Sequence, residues 1–178
     1  MMPIGPLMIE HRLIERMIAR MGQEAERIGR GAPPDTDFVR AAVDFIKTYA
    51  DRLHHGKEEN ILFRELAKKR LSAEHGRIMD ELIREHLLGR EHTQELGDSR
   101  DRYLAGDKDA AKAMAETLGR LAKMYPRHIE KEDKHFFLPA MAYFTPDEKE
   151  AMLAESNEFD RQFVHAAYRS VVSEWESK

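Results

Sequence analysis

The chain has no cysteine among its 178 residues. That single absence excludes disulfides, thiolate nucleophiles, thiolate zinc sites and iron–sulfur clusters. Any metal must then be held by imidazole and carboxylate. Long apolar runs are also missing; none approaches the roughly 20 residues of a membrane span, so no membrane association is expected. The first ten residues lack a basic start, and Pro3, Gly5 and Pro6 cut their apolar run. They do not resemble a signal peptide, and the expected location is the cytoplasm. No Lys/Arg block is long enough to suggest a basic arm. The 29 basic and 33 acidic residues alternate along the chain for a net charge of -4, which describes a solvated surface and predicts no nucleic-acid partner. Strand-like runs of Val, Ile and Thr are absent as well.

What remains is helix. Ala, Leu, Met, Glu, Lys and Arg dominate, and the hydrophobic fraction of 42% suffices for one core in a chain of this length. Turn signals cut the sequence into five segments. The first spans about residues 6–30, with Leu7, Ile14, Met17, Ile18, Met21, Ala25 and Ile28 on one stripe, and ends at Gly29, Gly31, Pro33 and Pro34. Met8, Met17 and Met21 are expected to fill core gaps. The second opens near Asp35 or Thr36 and runs to about Leu71. The third covers about residues 73–104. After Ala105-Gly106-Asp107 the fourth continues to about His135 and stops before Pro139; Pro126 inside it is expected to kink or split it. Thr145-Pro146-Asp147-Glu148 carries the signature of a capping box and opens a last helix to about Trp175. The expected domain is a bundle over residues 1–142, with residues 143–178 as a further helix packed on it or on a partner.

Nine histidines are present, and their placement is informative. Glu10-His11 in the first helix matches Glu85-His86 in the third. His55 and Glu59, four apart in the second, match His128 and Glu132 in the fourth. Each half is thus a helix hairpin with one lone histidine and one histidine–glutamate pair. Residues four apart share a helical face, so such a pair can grip one metal or bridge two. Short connections make successive helices antiparallel, which brings the four histidines to one depth. Four imidazoles and two carboxylates in an apolar core need compensation, and metal coordination supplies it. Glu10, Glu58 and Glu85 are placed to orient ligand imidazoles from outside.

These segments, Ile9-Glu10-His11, His54-His55-Gly56-Lys57-Glu58-Glu59-Asn60-Ile61-Leu62-Phe63, Arg84-Glu85-His86 and His128-Ile129-Glu130-Lys131-Glu132-Asp133, resemble the hemerythrin / HHE cation-binding family. The resemblance covers about residues 7–142. It implies an all-α, antiparallel up-down four-helix bundle with an additional C-terminal helix, and a non-heme di-iron centre whose irons share carboxylate and oxo bridges. The metal ligands would be His11, His55, Glu59, His86, His128 and Glu132. Two features depart from the pattern. Oxygen-carrying members have a further histidine one turn from the third-helix ligand, where this chain has Leu82 and Arg90. Some members use an aspartate five residues after the fourth-helix histidine, and here Glu132 and Asp133 are both present; Glu132 repeats the spacing of Glu59. The shifted pair of His54 with Glu58 is the alternative grip on the second helix.

Two six-coordinate irons offer twelve positions in all. Four imidazoles, two bridging carboxylates and a bridging oxide leave two open, for water, dioxygen or nitric oxide. Such open positions mark a working site. The nitrogen and oxygen donors also suit zinc or manganese. His75, His92, His135 and His165 are expected outside the site, and Tyr49, Tyr125 and Tyr143 are candidate pocket residues. The expected function is binding or sensing of dioxygen, nitric oxide or iron by a monomer or homodimer. The alternative is a di-iron enzyme that reduces nitric oxide or peroxide or delivers iron for repair.

Overall fold

The computed structural model describes residues 2–176, and their side chains as far as Phe163. Helix α1 is Ile4–Gly29. The second arm starts as α2, Thr36–Phe45, passes through two π-helical stretches, Ile46–His55 and Glu58–Phe63, and ends in the short α3, Arg64–Leu66. The third arm is α4, Ala73–Leu104. The fourth is α5, Ala110–Lys131, followed by a π-helical turn, Glu132–Phe136, and α6, Phe137–Ala140. Helix α7, Pro146–Glu176, follows. Among the described residues there is no strand, and no helix is long and apolar enough to cross a membrane.

The helix starts follow their caps. Asp35 accepts from Phe38 N at 2.9 Å, and Ser72 Oγ from His75 N at 3.1 Å. Thr145 and Glu148 form the expected reciprocal box: Glu148 N donates to Thr145 Oγ1, and Thr145 N to Glu148 Oε2. Two turns after helix ends need positive φ, and glycine supplies it at Gly31 (89°) and Gly106 (105°). Helix α5 is not split at Pro126, which lies inside it.

The arms run up, down, up and down. Glu10 of α1 meets His54, and Glu24 meets Asp35; Glu95 of α4 meets Arg120 of α5, and Glu85 meets His128. Residues that increase along one helix thus decrease along its neighbour. Two apolar layers fill the bundle. One gathers Ile4, Leu7, Leu66, Leu82, Phe136 and Phe137; the other gathers Ile14, Ile18, Met21, Leu96, Leu118 and Leu121. Met8 is 37% exposed, so it leaves the core stripe that its neighbours Leu7, Ile14 and Met21 form. On α1 the break between the two layers falls at Glu10 and His11, and on α4 at His86. A polar layer lies there.

Candidate metal centre

That layer is buried. His11, His54, His55, Glu58, His86, His128 and Glu132 are each at most 3% exposed. Their nitrogen and oxygen atoms form two groups, His55–Glu58–His86–His128 and His11–His54–Glu58–Glu132, each with atoms that lie within 4.8 Å of one another.

Two carboxylates stand between the groups. Glu58 Oε1 lies 3.4 Å from His54 Nε2, and Glu58 Oε2 lies 3.3 Å from His86 Nε2. Glu132 Oε2 lies 3.2 Å from His11 Nε2, and Glu132 Oε1 lies 3.3 Å from His128 Nε2 and 3.9 Å from His86 Nε2. Each glutamate therefore turns one oxygen to either side. One side has three imidazoles and the other has two.

Four of the five rings are held from behind. Nδ1 donates to a carboxylate in each: His11 to Asp133 at 2.8 Å, His54 to Glu10 at 2.9 Å, His86 to Glu59 at 2.7 Å and His128 to Glu85 at 2.8 Å. A carboxylate on Nδ1 fixes the tautomer that leaves Nε2 as a lone-pair donor. Lysines stand behind two of these acids. Lys57 Nζ donates to Glu10, and Lys131 Nζ to Glu85 at 2.6 Å. The arrangement is a repeat. His11, His54, Lys57, Glu58 and Glu59 correspond to His86, His128, Lys131, Glu132 and Asp133 at a constant offset of 74 or 75 positions. His55 breaks the symmetry, since its counterpart is Ile129.

Five of the six sequence-predicted residues meet here: His11, His55, His86, His128 and Glu132. Glu59 does not join either group. It lies outside, where its Oε1 accepts from His86 Nδ1 and from Arg90 Nη2. Glu58 takes the inner place and His54 joins it. The physical reason is the π-helical backbone of Ile46–His55 and Glu58–Phe63. With i→i+5 hydrogen bonds a turn holds more residues, so adjacent residues are separated by a smaller angle. His54 and His55 then both face inward, and Glu58 follows on that face. An α-helical wheel admits only one of the two. The uniform 74–75 offset, extended through Lys57 and Lys131, is the signal that would have selected His54 with Glu58. Asp133 supports His11 from behind.

The other histidines stand apart. His75 Nδ1 pairs with Tyr143 OH at 2.8 Å, His92 is half-buried near Glu95 and His135 is exposed. His165 lies beyond the described side chains. Tyr49 packs on Phe45, whereas Tyr125 lies beside the centre, its ring parallel to His55.

The electrostatics suit a cation. Burial disfavours a charged His11, but Asp133 and Glu132 outweigh it and raise its pKa to about 10. His86 is likewise raised to about 11, by Glu132, Glu58 and Glu59 against burial. Burial also opposes the charges of Glu58 and Glu132, yet the neighbouring imidazoles hold both below the usual carboxylate range. Both oxygens of each glutamate, with Nε2 of His11, His86 and His128, are buried without a hydrogen-bond partner. Seven unpartnered donor atoms facing a shared interior space are costly unless something binds them. An all-imidazole and carboxylate set of this kind fits divalent or trivalent metal ions.

Comparison with known protein families matches residues 2–167 to the hemerythrin HHE cation binding domain. No curated protein and no solved structure matches the chain. The match spans both hairpins and much of α7, and a cation-binding domain is what the layer of inward-facing imidazoles and carboxylates calls for. The chain belongs to the hemerythrin HHE cation-binding family.

Proposed function

We propose that this is a non-heme di-iron protein that binds or senses a diatomic gas, dioxygen or nitric oxide. His55, His86 and His128 would hold one ion and His11 and His54 the other, with Glu58 and Glu132 shared between the two groups. One observation carries the reading: each of the two glutamates offers separate oxygens to two separate nitrogen groups. A single-metal site has no need of that division. Two bound irons would supply reversible electron transfer and an open position. With five imidazoles in place of four, the same count of twelve would leave one position open, and the side with two imidazoles has the fewer protein donors.

The fifth imidazole bears on dioxygen. The third helix lacks a second histidine near His86, but the second arm contributes His54 and His55 together. Three and two imidazoles then surround the two positions, and the chain has the donor count for gas binding without the third-helix residue.

The chain's own residues orient and exclude. Carboxylates behind Nδ1 fix four rings, and Phe137 stacks on His11 with centroids 5.7 Å apart, which keeps water from that ring. The test is metal analysis of freshly isolated protein, followed by anaerobic reduction and titration with dioxygen and with nitric oxide. About two irons per chain and a reversible spectral change are expected. Less than one metal per chain, or spectra indifferent to both gases, would defeat the reading. Continuous gas consumption would mark the enzyme alternative.

A further inference from the structure

His55 is the odd ring in a second respect. Its Nδ1 points toward Asp51 Oδ1 but stops at 3.4 Å, and it is buried without a hydrogen bond, unlike the Nδ1 atoms of the other four rings. It lines a cavity of about 330 Å³ between the second arm and α4. Tyr125, 2% exposed, lies in the same wall with its ring parallel to His55 and centroids 6.3 Å apart. Its phenol pKa is pushed up by burial and nearby charge, with no hydrogen bond contributing. Arg90 donates through Nε to Asp51 and through Nη2 to Glu59, which leaves Nη1 free of both. Lys47 and Arg52 stand exposed at the rim.

The groups here that can donate to a ligand are the Tyr125 hydroxyl, the outer nitrogen of His55, which is buried without a partner, and one edge of Arg90. Three cations line the cavity against one acid, Asp51. Donors in excess of acceptors, with surplus positive charge, select a ligand that bears acceptor oxygens and negative charge. The volume is at the lower end of the range for small-ligand pockets. Ile46 and the ring faces supply apolar wall for a short carbon tail. We propose that this cavity binds a small organic carboxylate, held by His55 Nδ1–H, the Tyr125 hydroxyl and the arginine-lined rim. The ligand gives His55 the carboxylate that the other four rings receive from the protein. The site rests on the di-metal reading only in assigning His55 Nε2 to the centre.

The experiment is isothermal titration of the full-length protein as isolated with acetate, and in a parallel arm with nitrate, at constant ionic strength. Metal content is measured on the same samples. Acetate is expected to bind at one site and more tightly than nitrate. Tyr125→Phe should weaken it by roughly fivefold to tenfold, the loss of one charge-assisted hydrogen bond, and Arg52→Gln should weaken it in a salt-dependent way. Lys112→Gln, far from the cavity, should change nothing. No acetate heat, or equal binding by wild type and Tyr125→Phe, overturns the site. Binding of nitrate alone overturns the carboxylate assignment. Acetate binding that vanishes on metal removal and ignores Tyr125→Phe would make acetate a metal ligand, which also overturns it. The metal content of the same samples judges the di-metal reading separately.

Discussion

The two hairpins deliver the same set of parts with two differences. In both, a histidine of the first helix meets a histidine and a glutamate from the second, and a Lys–Glu pair stands behind the latter histidine. The first hairpin adds His55 where the second has Ile129. Its lysine also differs. Lys57 is 2% exposed and continues to Asp160 of α7 at 2.8 Å, whereas Lys131 is half-buried and reaches Glu81 of its own neighbour α4 at 3.1 Å. A duplicated frame thus makes a symmetric cage, and two local changes make it unequal. One gives one of the two buried groups an extra nitrogen. The other ties the remaining group to the C-terminal helix.

The shared carboxylates should produce the largest effect. Glu58→Ala or Glu132→Ala removes a carboxylate that faces both nitrogen groups, and metal content by elemental analysis should fall to below half that of the wild type. Glu59→Gln disturbs the support of His86 and the bond to Arg90 from outside the two groups, and should keep the metal while weakening affinity by about 10–100-fold. If Glu59→Gln empties the site and Glu58→Ala does not, the inner assignment is reversed.

His55→Ala probes the asymmetry itself. It reduces the three-nitrogen group to two and should lower metal content toward one per chain, leaving the His11–His54 group loaded. Equal loss from both positions would mean that they do not fill independently.

Acidity acts on both halves alike. With folded pKa values raised to about 10 and about 11, His11 and His86 carry protons at neutral pH in the metal-free protein. Metal binding must release them, so affinity should weaken as pH falls from 8 to 6, read by chelator competition. For the metal-free protein the sign is opposite. These groups contribute stability below their unfolded pKa near 6.5, and that contribution is lost as pH rises through about 10–11, measurable as a falling Tm.

The lysines should separate the hairpins more gently. Lys57→Met leaves Asp160 and one oxygen of Glu10 without their buried cation and should cost about 2 kcal/mol in denaturant unfolding, while the more exposed Lys131→Met should cost about 1 kcal/mol or less. At the far end of the bundle, Glu24→Gln disturbs bonds to Arg27 and Asp35 N. It should cost about 1 kcal/mol and leave metal content unchanged.

Much of this was legible in the residues. The absence of cysteine restricted a metal site to imidazole and carboxylate. Turn signals put helix starts near residues 36 and 73 and a capping box put one at Pro146, because such signals are bonds and bends between near neighbours. The spacing of His11, His86 and His128 called for two hairpins meeting at one depth, because helix rise and antiparallel return are fixed quantities. The choice of His54 with Glu58 over Glu59 was not legible by that route. It depends on which face a residue presents, and the π-helical stretches shift that face by a fraction of a turn. Hydrophobic periodicity assumes an α-helix and misses such a shift. Whether an acid sits between two imidazole groups or behind a single ring is likewise decided by tertiary packing, since Glu58 and Glu59 are chemically the same and differ only in direction.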